Sequence, residues 1–251
     1  MEDEVALPGG NVGGAVRVGG TVRRPTGPWT PAVHELLAFL ADEGLPCVPR
    51  VHGVDERGRE ILDYLPGHVV PVGEEELTDA QLTSAAQWLR EYHRVVAGFP
   101  RTARRWRFVE RALAPGEIVC HHDTAMYNLA FDGDDLVGVF DWDVAGPGLP
   151  LDDLAMLAWV SPLLFPDDDA GRMAHGLHVI ARAYGGTDPA VLLRHVERRM
   201  TDASDRIEAG QRAGDPGMQR LGEVGEPAST RARLATLVAR TAELEATLRT
   251  R

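Results

Sequence analysis

His121-His122-Asp123, Asn128 and, thirteen residues further on, Asp141-Trp142-Asp143 gather imidazoles, carboxylates and a side-chain amide into one short stretch. Neither cysteine lies within the stretch from His121 to Asp143, so the chemistry on offer is that of oxygen donors and proton acceptors. An Asn oxygen beside a carboxylate suits a hard cation such as Mg²⁺. One further carboxylate is available to orient an attacking hydroxyl. Phosphoryl transfer requires this set: an oriented nucleophile, a metal held on the phosphates, a cation to steady them and a glycine-rich turn to cover them.

These residues need elements to hold them. Ile118 to Cys120 reads as a short buried strand that delivers the His-Asp loop. Asn128 to Phe131 and Leu136 to Trp142 read as two strands around the turn Asp132-Gly133-Asp134-Asp135. A period of two places Val137, Val139 and Asp141 on one face. A carboxylate on the side of core valines is costly unless it is paired, and a metal ion would pair it.

Upstream, residues 7–14 form a glycine-rich turn, followed by strand-like runs at Ala15 to Val18 and Thr21 to Arg23 around Gly19-Gly20. Thr30 and Pro31 begin a helix with Val33, Leu36, Leu37 and Leu40 on one face and Gly44 past its end. Pro49 to His52 and Glu60 to Leu65 are two more strands, and Pro66-Gly67 breaks the chain. Residues 1–66 therefore read as a small β-rich unit with one helix, and 67–251 as a larger, mainly helical unit. Thr78 and Gln81 are spaced as a capping box for a helix carrying Leu82, Ala85, Ala86, Leu89, His93 and Val96. The tail from Ser229 places Leu234, Leu237, Val238, Leu244 and Leu248 on one face, to dock on its own domain or to form a short dimerising helix.

The pattern His121-x-Asp123-x4-Asn128, then Asp141-Trp142-Asp143 and Gly148-x-Pro150-x-x-Asp153-Leu154-Ala155, resembles the aminoglycoside phosphotransferase (kinase-like) family. The resemblance covers roughly residues 7–160. It implies an α+β, two-lobed protein-kinase-like fold and transfer of a γ-phosphate to a hydroxyl of a small molecule, with ATP or GTP and Mg²⁺. Asp123 would be the catalytic carboxylate, and His121 would support its loop. Asn128 and Asp141 would hold the metal. Gly10, Asn11 and Gly13 would cover the phosphates, Asp63, Tyr64 and Leu65 would form the adenine-binding hinge, and Asp153 would tie down the catalytic loop. The chain departs from the family in containing no lysine. Arg23 is the first choice for the phosphate-binding cation and Arg24 the second, since alternation turns only one of them to the cleft. Glu35 is the obvious small-lobe helix partner for that cation, yet it falls opposite the apolar face, and His34 is the alternative. These departures leave room for a catalytically degenerate nucleotide-binding or regulatory module. Nucleotidyl transfer would use much of the same site.

Composition narrows the partners. The 251 residues carry 26 Lys+Arg against 38 Asp+Glu, a formal charge of −12, which disfavours nonspecific nucleic-acid binding. The acidic balance fits an aminated substrate, an aminoglycoside or a smaller metabolite, and Asp167-Asp168-Asp169 is one place to attract it. Two cysteines make no disulfide framework, no stretch is apolar and long enough to span a bilayer, and the acidic start is unlike a signal peptide, so a cytoplasmic protein is expected. Arg101, Arg104, Arg105, Arg107 and Arg111 with Trp106 read as a solvated helix face. His93 reads as a satisfied core histidine and Trp142 as packing.

Overall fold

In a computed structural model, residues 3–7, 14–165 and 168–250 are described. The small lobe is an antiparallel sheet in the order β1-β2-β3-β5-β4, formed by β1 (Val5–Ala6), β2 (Val16–Val18), β3 (Thr21–Pro25), β4 (Val51–Val54) and β5 (Arg59–Asp63). Helix α1 (Thr30–Asp42) adds Val33, Leu36, Leu37 and Leu40 to the core, all buried. Gly19-Gly20 makes the β2–β3 turn, and Gly44, with φ of 74°, ends the helix segment. The register of β3 on β5 sets Arg24 directly opposite Glu60. That pairing matters below.

The large lobe is helical: α2 (Asp79–Val96), α3 (Pro150–Trp159), α4 (Ala170–Tyr184), α5 (Pro189–Arg212), α6 (Pro216–Glu223) and α7 (Ala228–Arg249). Thr78 and Gln81 form the expected capping box on α2. α2 carries Trp88 and Tyr92 into the centre, where both rings meet Trp142 edge-on. Tyr92 also donates its hydroxyl hydrogen to Val119 O at 2.7 Å, which fixes the strand leading to the loop that starts at His121. Short antiparallel pairs complete the lobe: β6 (Arg104–Arg105) with β7 (Glu110–Arg111), β8 (Ile118–Cys120) with β11 (Gly146–Gly148), and β9 (Leu129–Asp132) with β10 (Asp135–Val139). Just after the chain leaves the small sheet, His68 pairs with Phe131 of β9. Gly67 is required there: its φ is 150°, and a Cβ would lie 2.9 Å from Val137 Cγ2.

Three expectations need correction. β10 stops at Val139 and has a register shift between Leu136 and Gly138, so Val137, Val139 and Asp141 do not share a strand face. Asp141 instead follows the strand in a left-handed conformation, φ 60°. The arginine cluster 101–111 is a small hairpin rather than a solvated helix face, and Arg107 is buried beside Asp143 and Asp215 over the Trp29 ring. The tail helix α7 docks on α4 and α5 with Leu237, Leu244 and Leu248 buried, but Val238 faces outward. No helix among the described residues is long and apolar enough to cross a membrane.

Candidate functional site

The loop after β8 is built around one buried carboxylate. Asp153, on α3, accepts hydrogen bonds from the backbone N–H groups of His121 (3.0 Å) and His122 (2.7 Å) and lies 3.0 Å from His93 Nε2. Burial alone would raise its pKa. The hydrogen bond and charge of His93, with the charges of the neighbouring histidines, instead hold it at about 2. His93 Nδ1 in turn meets the Tyr184 hydroxyl at 2.7 Å, so this core histidine is satisfied on both nitrogens. His121 is also internal: Nε2 lies 3.1 Å from Phe140 O, and Nδ1 accepts the Asp123 N–H. Burial lowers its pKa, and its ring braces the loop against Trp142.

Asp123 is held from both sides. Tyr127 donates to Oδ1 and Asn128 Nδ2 to Oδ2, each at 2.8 Å. Burial, then the nearby charge of Asp141, raises its pKa to about 6. A carboxylate raised this far accepts a proton more readily near neutrality than an ordinary Asp. Because Asn128 spends its amide nitrogen on Asp123, its carbonyl oxygen is the atom left for a cation. Among the described residues only Oδ1 of Asp141 is engaged, by Arg24 Nη1 at 3.0 Å. The donor set of Asn128 and Asp141 thus fits a hard divalent ion.

The small lobe contributes the positive charge. Arg24, on β3, donates from Nε to Glu60 at 2.5 Å, from Nη1 to Asp141, and from Nη2 to Asp143. These carboxylates overcome the burial penalty and keep its pKa above the ordinary arginine value. Arg23, the first choice from sequence, points elsewhere: its Nη1 donates to Thr21 Oγ1 at 2.5 Å. Glu35 likewise turns away and pairs with Arg104. Its place on α1 is taken by His34, whose Nε2 lies 2.7 Å from the second oxygen of Glu60. A relay from His34 through Glu60 to Arg24 therefore stands where a direct helix-to-strand ion pair was expected. Asp143 is bound to Arg24 and Arg107, and burial raises its pKa.

At the hinge, Tyr64 N–H bonds Gly20 O at 2.9 Å, and its ring lies under the Arg17 guanidinium. The Asp63 carboxylate is occupied by Arg50 N–H and His52. Leu65 N–H has no hydrogen-bond partner among the described residues. Gly10, Asn11 and Gly13 lie outside the described residues. Asp168 pairs with Arg172 and Asp169 caps α4, while Asp167 lies outside the described residues.

Residues 22–118 and 111–192 match the model of the phosphotransferase enzyme family. The chain belongs to that family. This phosphotransferase is 34% identical over 198 residues to the trifolitoxin immunity protein of Rhizobium leguminosarum bv. trifolii, an alignment covering 74% of this chain and 75% of that protein. Among solved structures, it resembles an amicoumacin kinase in complex with AMP-PNP, Ca²⁺ and Ami, with TM-score 0.62, 11% identity, and coverage of 96% of this chain and 88% of that one. It also resembles a gentamicin complex of APH(2")-IIa, with TM-score 0.58, 15% identity, and coverage of 91% and 93%. Both likenesses establish the two-lobed kinase-like fold.

Sequence reasoning missed Glu60, Tyr127 and the arginines of α5. Glu60 opposes Arg24 only through the β3–β5 register, which the sequence does not give. Tyr127, one residue before Asn128, gave no signal beyond its proximity.

Proposed function

We propose that this phosphotransferase moves the γ-phosphate of ATP or GTP, with Mg²⁺, to a hydroxyl of a small molecule. The observation that carries this reading is the convergence of Asp123, Asn128 and Asp141 with Arg24 on one cleft. Asp123, pinned by Tyr127 and Asn128, aligns the acceptor hydroxyl and takes its proton at a carboxylate oxygen. Mg²⁺, held by Asn128 and Asp141, would neutralise charge on the transferring phosphoryl group. Arg24 turns its guanidinium to the phosphates, while Glu60 and His34 fix its approach. The Asp63 carbonyl and the Leu65 N–H receive the base at the hinge, and Gly10, Asn11 and Gly13 close over the phosphates. Most of the acceleration then comes from positioning and charge neutralisation. We place the protein in the cytoplasm, where nucleotide is supplied and Cys47 and Cys120 stay reduced.

The relative's name suggests protection against a toxic compound, which would then be the phosphorylated acceptor. A second reading, a catalytically degenerate nucleotide-binding module, is favoured by one observation: Arg24 is already bound to three carboxylates. The deciding experiment is thermal unfolding with ATP or GTP, with and without Mg²⁺. Nucleotide at a hundred times its dissociation constant stabilises by about 2.7 kcal/mol. A Mg²⁺-dependent shift that Asp141→Asn abolishes is expected. An unchanged shift in that variant removes Asp141 from the metal site. Binding without any ADP release across a hydroxyl-compound panel favours the module.

A further inference from the structure

A cavity of about 250 Å³ adjoins the catalytic loop, lined among others by His122, Asp152 and, from α5, Arg198, Arg199 and Arg206. Arg199 is only 6% exposed. Its Nη2 donates to His122 O at 2.7 Å, but Nε and Nη1 have no hydrogen-bond partner among the described residues. Buried charged donors without acceptors are costly, and native structures satisfy them with a ligand or water.

The carboxylates nearby do not fill this need. Asp152 accepts from Leu149 N–H at 2.7 Å and meets His195 Nε2 at 2.7 Å. Glu117 is held bidentately by Arg111 at 2.5 and 2.8 Å. Asp202, exposed at the rim, and Asp152 offset the charge on Arg206 only in part, because burial and the adjacent Arg199 push its pKa down to about 10. Three arginines thus share one cavity, and Arg199 has donors to spare. The cavity also connects to the chemistry: His122 precedes Asp123 in the chain, and the charge of Arg199 acts on both Asp123 and Tyr127. α5 reaches beyond residue 192, where the family match ends, and it carries all three arginines to the cavity.

We propose that this cavity is the acceptor subsite for an oxyanion group, a carboxylate or phosphate ester, carried by the hydroxylated substrate and bound by Arg199 and Arg206. The inference rests on the phosphotransferase reading above and gives it a substrate class. It reverses the expectation from net charge. The chain is acidic as a whole, but this cavity beside the loop is lined by three arginines, so an aminated acceptor would meet like charge there.

A matched three-carbon series tests it by isothermal titration in the presence of Mg²⁺ and AMP-PNP: glycerate, glycerol 3-phosphate, glycerol and 2-amino-1,3-propanediol. The expected result is that at least one anionic member binds ten times or more tighter than the neutral and cationic ones. Whichever of glycerate and glycerol 3-phosphate binds tighter identifies the group as carboxylate or phosphate. Arg199→Met and Arg206→Met are each expected to weaken that binding at least tenfold and to leave the AMP-PNP shift in unfolding temperature intact. The half-buried Arg206 gives the same test if Arg199→Met does not fold. Anions that fail to bind, a preference for glycerol or the amine, or undiminished affinity in the folded variants would overturn the proposal. Loss of the Mg²⁺·AMP-PNP shift in the unmodified protein is a different failure, that of the phosphotransferase reading itself.

Discussion

The loop that carries Asp123 and Asn128 and the small-lobe cation Arg24 are built in opposite ways. In the loop, Asp123 is fixed by neighbours close in sequence and the backbone of His121 and His122 by one buried hub. Asp153 binds two consecutive backbone N–H groups, and Asn128 and Tyr127 bind Asp123 from within the same loop. On the small lobe, the single charge on Arg24 is oriented through Glu60 and His34, which come from a different strand and from α1. The difference teaches which demands are geometric and which are electrostatic. On the proposed function, proton acceptance and metal ligation would need particular atoms at particular places, which a loop fixed by its own neighbours supplies. Steadying phosphates needs positive charge in roughly the right place, so an arginine and a relay can replace a lysine and its direct partner.

Asp123→Asn tests the geometric half most severely. Removing a positioned general base is expected to lower turnover by about 10² to 10⁴. Nucleotide binding, read by thermal shift, stays as it was. A variant with near-normal ADP release would end the assignment of Asp123.

Asp153→Asn addresses the hub. Breaking a buried, hydrogen-bonded charge is expected to cost about 3–5 kcal/mol, read by chemical denaturation. The pH dependence has a definite sign. The folded pKa of about 2 lies below the ordinary 3.8, so the carboxylate's contribution, of order 2 kcal/mol, is complete above pH 3.8 and lost as the pH falls through 2. The variant's stability is therefore expected to be flatter than the native protein's across that window. Equal slopes would mean that Asp153 is not the charged hub.

Legibility in the sequence followed the same division. Asp123, Asn128 and Asp141 stood out as a candidate set by residue type and spacing, in a strand–loop–hairpin unit contiguous in the chain, whereas the roles expected of His121 and Asp153 came from the family resemblance. The hairpin at Gly19-Gly20, α1 and the capping box at Thr78 were also readable, each from a local signal. The choice between Arg23 and Arg24 was not, since alternation gives the period of a strand but not its phase relative to the cleft. Glu60 was hidden because the β3–β5 register is a tertiary fact. The bulge in β10 overturned the face assigned to Asp141, and a bulge leaves little trace in sequence beyond Gly138. The cavity on α5 was illegible for the plainest reason: Arg198, Arg199 and Arg206 read as an ordinary charged helix until that helix is packed against the loop.

The electrostatic half is sharpened by replacing Arg24 twice. Arg24→Met removes the charge and leaves Glu60 and Asp143 buried without it, so turnover is expected to fall about 10²-fold or more, with weakened nucleotide binding. Arg24→Lys keeps the charge and loses the fork that spans Glu60, Asp141 and Asp143. If charge is the main demand, the lysine variant stays within about tenfold of the native rate. Equal damage in both variants would show that the fork itself is needed and that the small lobe is as geometrically constrained as the loop.

The smallest effect is expected at Glu35, and it separates the relay from a direct ion pair. Glu35 is on the same helix as His34, but its half-exposed carboxylate binds Arg104 rather than Arg24. Glu35→Ala removes a surface pair, worth about 0–1 kcal/mol of stability, and should leave the apparent affinity for nucleotide unchanged. His34→Ala, one residue away, cuts the relay at Glu60 and should raise the KM for nucleotide while moving kcat less. If the two substitutions changed places in this comparison, α1 would have to turn during catalysis to bring Glu35 to Arg24, and the relay seen here would belong to a resting arrangement.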